Sequence, residues 1–197
     1  MPIVGSFAGA SSRAYGLQAG IIVGDFESIA TTTVGSTPQS SITFSSIPST
    51  YSHLHIRAIG RYSDAGTGTD AVNMTFNSDT TYTNYRTHLL YGNGTSALSA
   101  NEQSTTYFGI TLPDFYRGGE AAGIFGCVIY DILDYANTNK HKTVRYLNGF
   151  EKNGAGNARL GSGVWLNSAA ITSITFTPAN GYSFGQYTQY ALYGIKG

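Results

Sequence analysis

The feature that most constrains this chain is Ala121–Leu133, AAGIFGCVIYDIL, its longest nearly uninterrupted apolar run. The run is shorter than the about 20 residues a helix needs to cross a bilayer. It has no N-cap, and Gly123 and Gly126 argue against a helix. Read with period 2, it puts Ile124, Val128, Tyr130 and Ile132 on one face, and Phe125, Cys127, Ile129 and Leu133 on the other. A strand apolar on both faces is expected to be covered on both faces. The run therefore predicts a central strand, with the rest of the chain wrapped around it or neighbouring subunits packed against it.

A chain of 197 residues can bury a core of its own. Charged residues make up 11%, against roughly 25% in an average soluble domain. Eleven basic and eleven acidic side chains balance, so no basic field points to nucleic acid and no acidic field collects cations. The 25 glycines are not periodic, which excludes a collagen-like fold. One cysteine excludes an internal disulfide framework, and Cys127 is expected to be a small buried hydrophobe. Met1–Gly20 lacks the basic start and continuous apolar core of a secretory signal, so neither secretion nor membrane insertion is expected.

Along the chain, residues 1–24 are rich in small residues, with Phe7, Arg13, Tyr15 and Leu17 spaced among them. Alone they bury too little to repay their ordering entropy. They read either as a loose leader or as an extended arm that orders against a partner. From Asp25 to Gly197, strand signals recur at intervals of about 8–15 residues, the rhythm of a sandwich or barrel. About ten strands are expected: Phe26–Val34, Ser41–Ile47, His53–Tyr62, Ala71–Asn77, Tyr85–Tyr91, Ser104–Leu112, the central run, a hairpin of Lys142–Glu151 with Ala158–Asn167, Ile171–Thr177 and Gln186–Ile195. In the third of these, Leu54, Ile56 and Ala58 face inward, and His53, His55 and Arg57 outward. Thr95–Gln103 fits a loop or a short helix. Pro113 is expected to end its strand, leaving Asp114–Glu120 as a loop that carries Phe115, Tyr116 and Arg117. Ser63–Asp70 reads as a long flexible tip and Tyr135–Lys142 as a basic turn.

Candidate chemistry is sparse. His53 and His55 project from one strand face, as two metal-binding imidazoles would, but no third ligand follows in sequence. Asp131 and Asp134 point to opposite faces unless the strand ends between them, so a carboxylate pair for glycan cleavage is not expected. Asp64 and Asp70 flank a Gly/Thr loop without EF-hand spacing. Gly154-Ala155-Gly156 lacks the context of a phosphate cradle, and Gly161-Ser162-Gly163 is not a nucleophile elbow. Asn73-Met74-Thr75 and Asn93-Gly94-Thr95 match the glycosylation acceptor, which bears only on a secreted eukaryotic protein. Neither an enzyme nor a cofactor is expected. The remaining signal is aromatic: fifteen Tyr and ten Phe, with Tyr82, Tyr85, Phe115, Tyr116, Tyr182, Phe184 and Tyr187 assigned to loops. Loop tyrosines suit protein interfaces and sugar faces alike. Phe115, Tyr116, Arg117, Tyr182 and Trp165 are the candidate glycan or partner contacts.

Four blocks carry a family resemblance: Ile42–Arg61, Met74–Ala97 (MTFNSDTTYTNYRTHLLYGNGTSA), Asp131–Gly149 (DILDYANTNKHKTVRYLNG) and Gly163–Gly197, which ends in a LYGIK-type strand. Together they span most of the chain after Asp25, and they resemble structural proteins of tailed-bacteriophage virions. That resemblance implies an antiparallel β-sandwich of jelly-roll type that assembles with itself, often as a trimer, in head decoration or in head or tail fibres. It implies a virion location and other capsid, neck or tail proteins as partners, and it carries no catalytic motif. The leader resembles the short arms by which such proteins attach to the particle, with Phe7, Arg13, Tyr15 and Leu17 as anchoring contacts. The alternative expectation is a receptor-binding fibre module whose loop aromatics stack on host surface glycans.

Overall fold

A computed structural model describes residues 25–102 and 109–197, and twelve strands with two short 3-10 turns account for its regular structure. The strands are β1 (Phe26–Thr33), β2 (Ile42–Phe44), β3 (His53–Gly60), β4 (Thr69–Phe76), β5 (Tyr85–Gly92) and β6 (Ala97–Glu102). They continue with β7 (Ile110–Tyr116), β8 (Gly126–Leu133), β9 (Lys142–Phe150), β10 (Asn157–Trp165), β11 (Ile174–Pro178) and β12 (Gln189–Ile195). Every ladder between these strands is antiparallel. The large sheet runs β1-β12-β3-β8-β9-β10-β5-β6, and the small one β2-β11-β4-β7.

Set aside the hairpins β5–β6 and β9–β10, and every remaining connection except that from β4 to β7 crosses from one sheet to the other. The resulting four-strand sheets, β1-β12-β3-β8 and β2-β11-β4-β7, have the connectivity of a jelly roll. The two hairpins extend the large sheet beyond β8. The fold is therefore a jelly-roll sandwich with one sheet widened on one side.

Period-2 alternation builds the core between the sheets. Leu54, Ile56 and Ala58 of β3, Val128, Tyr130 and Ile132 of β8, and Val144 and Tyr146 of β9 are buried. They meet Val72, Met74 and Phe76 of β4, Ile174 and Phe176 of β11, and Ile110 and Phe115 of β7 in one cluster. Phe176 packs tilted against Tyr190 with ring centroids 4.4 Å apart. Gly161 makes room for the Tyr146 ring, which would lie 2.0 Å from a Cβ placed there. Polar links fasten the widened part to the small sheet. Arg159 of β10 pairs with Asp114 of β7 at 2.7 Å, and its guanidinium lies over the rings of Tyr91 and Phe150. Burial pushes the Asp114 carboxyl up, against the opposing pull of Arg159 and the Thr69 hydroxyl. The Asn148 side chain accepts from the Asp114 amide and donates to the carbonyls of Asp114 and Cys127.

Several expectations need correction. The central strand starts at Gly126, and Ala121–Phe125 forms a turn and its approach. Among the described residues only one face of the strand is covered: Cys127, Ile129 and Leu133 are exposed. Pro113 does not end β7. A register shift opposite Val72 absorbs it, and β7 is an edge strand, where a residue without an amide proton is tolerated. Asp114–Tyr116 thus belongs to the strand, and Thr95–Gln103 contributes β6. The Ser63–Gly68 tip is tethered: Asp64 accepts from the amides of Gly66 and Gly118 and from Arg117.

Candidate interaction surface

The outer face of the widened sheet carries an apolar row that strict alternation creates from ordinary strand sequences. In Leu89-Leu90 and in Tyr146-Leu147, two consecutive apolar residues must point to opposite faces, so one goes to the core and one outward. The register then aligns the outward ones. Ile129 of β8 pairs with Leu147 of β9, Leu147 with Leu160 of β10, and Leu160 with Leu90 of β5. Their exposures are 36%, 54%, 56% and 55%. Scattered outward aliphatic residues are ordinary; four in register on adjacent strands form a continuous patch.

Two different rows flank this patch. On one side the paired residues are small: Cys127, Gly149, Ala158, Gly92 and Ala97. On the other side they are polar: His55, Asp131, Arg145, Ser162, His88 and Asn101. An open hollow of about 760 Å³ lies over Leu90 and Leu160, bordered by His88, Asn101, Arg145 and Ser162. A second, of about 750 Å³, follows the small row past Cys127 and Gly149 to Phe125 and Phe150. The patch is thus a shallow apolar floor between a polar wall and a smooth one.

The histidines expected on the outer face are there, and both are engaged. His55 Nδ1 lies 2.7 Å from Asp131, and its Nε2 accepts from Arg57 at 3.3 Å. His53 Nδ1 accepts the Asp134 amide at 3.0 Å. Among the described residues, no group of three or more His, Cys, Asp or Glu side chains is placed to hold a metal ion. Asp131 and Asp134 turn to different partners. Asp131 faces His55 and Arg145, whereas Asp134, left-handed at φ 49°, turns the chain and holds Lys140. The hydrogen bond from Lys140 keeps the Asp134 carboxyl below its ordinary range. Asp64 and Asp70 serve separate partners, Arg117 and Asn180.

The expected glycan contacts scatter. Phe115, Tyr116 and Trp165 are core residues, which removes them as surface contacts. Phe115 fits beneath Gly60, and Tyr116 packs edge-on against Phe150 and donates to the Ala155 carbonyl. Trp165 stacks with Tyr85 and donates to Asp79 at 2.7 Å. Tyr85 and Phe184, also assigned to loops, are buried as well. Arg117 and Tyr182 stay partly exposed and adjacent, the guanidinium carbon 4.5 Å from the ring centroid. Phe7, Arg13, Tyr15 and Leu17 lie outside the described residues. The residues that sequence reasoning missed are Leu90, Leu147 and Leu160. The signal for two of them was the doubled apolar pair inside an alternating strand.

Comparison with protein-family models and with curated proteins gave no match. What fold and surface define together is a class: a jelly-roll sandwich with a widened sheet whose outer face is apolar.

Proposed function

We propose that this chain is a non-enzymatic structural protein of a tailed-phage virion, a head-decoration or fibre component. It attaches to the particle through residues 1–24 and assembles with copies of itself, the resemblance implying a trimer. The observation that carries the reading is the apolar row Ile129–Leu147–Leu160–Leu90. A monomer in water gains nothing from such a row, whereas an assembled subunit uses it. The jelly-roll connectivity and the four sequence blocks support the same reading, since the fold recurs in capsid proteins. Function on this reading is adhesion and spacing, and no side chain is assigned a reaction.

The test is incorporation. Virions assembled with a variant lacking Met1–Gly20 should lose the protein, while the purified variant keeps its β-sheet circular dichroism. Full incorporation without those residues would defeat the attachment arm. The glycan-binding alternative retains only the Arg117–Tyr182 pair among its proposed contacts. Reproducible glycan binding that disappeared in Tyr182→Ala would move the function there.

A further inference from the structure

We infer that the outer face of β8, β9, β10 and β5 is where one copy of this chain packs on another, with the Ile129–Leu147–Leu160–Leu90 row at the centre of the contact. The inference rests on the reading of the chain as an assembly subunit; the contact is two-fold and pairs two chains, so it is separate from the three-fold contact that the resemblance implies.

Size favours a copy-to-copy contact. With strands about 4.8 Å apart and residues about 3.3 Å apart, the outer face of β8, β9, β10 and β5 projects to about 450 Å². A standard interface buries about 800 Å² of accessible surface per partner, a value that the corrugation of side chains brings within reach. An interface core is apolar and depleted of charge, with polar groups at its rim, and this face is laid out that way.

Self-complementarity favours a second copy over an unrelated partner. A half-turn about an axis parallel to the strands, between β9 and β10, exchanges β8 with β5 and β9 with β10 while keeping each row at its own level. The apolar row then meets itself, Ile129 against Leu90 of the second copy and Leu147 against its Leu160. In the polar row the same operation sets the Asp131 carboxylate opposite His88, and Arg145 opposite Ser162, so opposite polarities meet rather than like charges. The small row meets the small row, which lets two sheet faces close without a steric stop.

Cys127, exposed beside Ile129 in the small row, is a built-in reporter. The experiment uses purified full-length protein, away from any particle. Light scattering should give a mass above that of one chain, and maleimide labelling of Cys127 should slow at least tenfold as protein concentration rises. The double variant Leu147→Arg/Leu160→Arg should be monomeric, label at the free-thiol rate and keep the wild-type circular dichroism. Leu147→Ile/Leu160→Met should associate as the wild type does. Four outcomes overturn the inference: a wild-type monomer with a freely reactive Cys127; an oligomer that the arginine variant, folded, leaves intact; association lost equally in the conservative variant; and a monomer whose Cys127 is shielded until residues 1–24 are removed, which would mean that the arm covers the face. A protein that associates as expected but never enters virions counts against the virion reading alone. A monomer that still enters them counts against this inference and against self-assembly, and leaves attachment to the particle standing.

Discussion

The two halves of the large sheet share one inner face and differ on the outer one. Over β3 and its neighbours, the outer surface is charged and aromatic: His55 with Asp131, Arg57 near Phe26, and Phe26 stacked on Tyr193 at 4.7 Å. Over β9, β10 and β5 the outer surface is leucine, while β7 runs across the inner side of the same strands. The jelly-roll half satisfies its exposed groups within the chain. On the added hairpins Leu90, Leu147 and Leu160 stay exposed among the described residues.

This contrast can be broken by substitution, and the largest effect belongs to the inner face. Trp165→Ala removes a buried indole from the Phe76–Tyr85 cluster and should cost about 3–5 kcal/mol in urea unfolding. A cost below 1 kcal/mol would mean that the widened part is not cooperatively packed. Next is Asp114→Asn, which strands the Arg159 guanidinium, only 13% exposed, and should cost about 3 kcal/mol. Because burial raises the Asp114 carboxyl, the unfolded chain releases that proton first. Its contribution therefore falls as pH rises from the ordinary carboxylate range to the raised value, and the Asn variant lacks this slope.

Asp79 has the opposite sign and a smaller effect. Burial raises its carboxyl, but donors from Trp165, Asn84 and Thr81 outweigh that and leave it lowered. Stability from this group is complete above about pH 4 and is lost as pH falls through the depressed value. Asp79→Asn should cost about 1–2 kcal/mol at pH 7 and flatten the acid limb of a stability–pH curve. An unchanged acid limb would remove Asp79 from that account. The smallest effect belongs to the outer face: Leu160→Ser should change monomer stability by no more than about 0.5 kcal/mol. A loss near that of Trp165→Ala would show that Leu160 is covered within its own chain.

Strand positions were legible wherever one face is apolar and the other polar: Leu54, Ile56 and Ala58 against His53, His55 and Arg57 point as alternation requires. The hairpin through Asn153-Gly154 was legible for the same reason, with Asn153 and Gly154 at positive φ. The loop assigned to Asp114–Glu120 failed because Pro113 looks like a terminator until the strand is known to be an edge with a bulge. That error carried Phe115 and Tyr116 to the surface when they belong to the core. Trp165 was misplaced for another reason: an aromatic at a strand end gives no sign of which side its neighbours occupy, and Asp79, its partner, is far away in sequence. The two-sided run around Cys127 gave the right chemistry for both faces. It could not show that the described chain leaves the second face open.

The sheet margins carry a consequence of their own. β2 is three residues long, β7 holds a proline at its irregularity, and β1 slips register between Ser28 and Ala30. Short, kinked or amide-poor margins resist lengthening by a foreign strand, the route that leads to fibrils. Three of the four margins are blunted in this way, β6 being the exception, so a foreign strand could lengthen a sheet of this chain on one side of one sheet only.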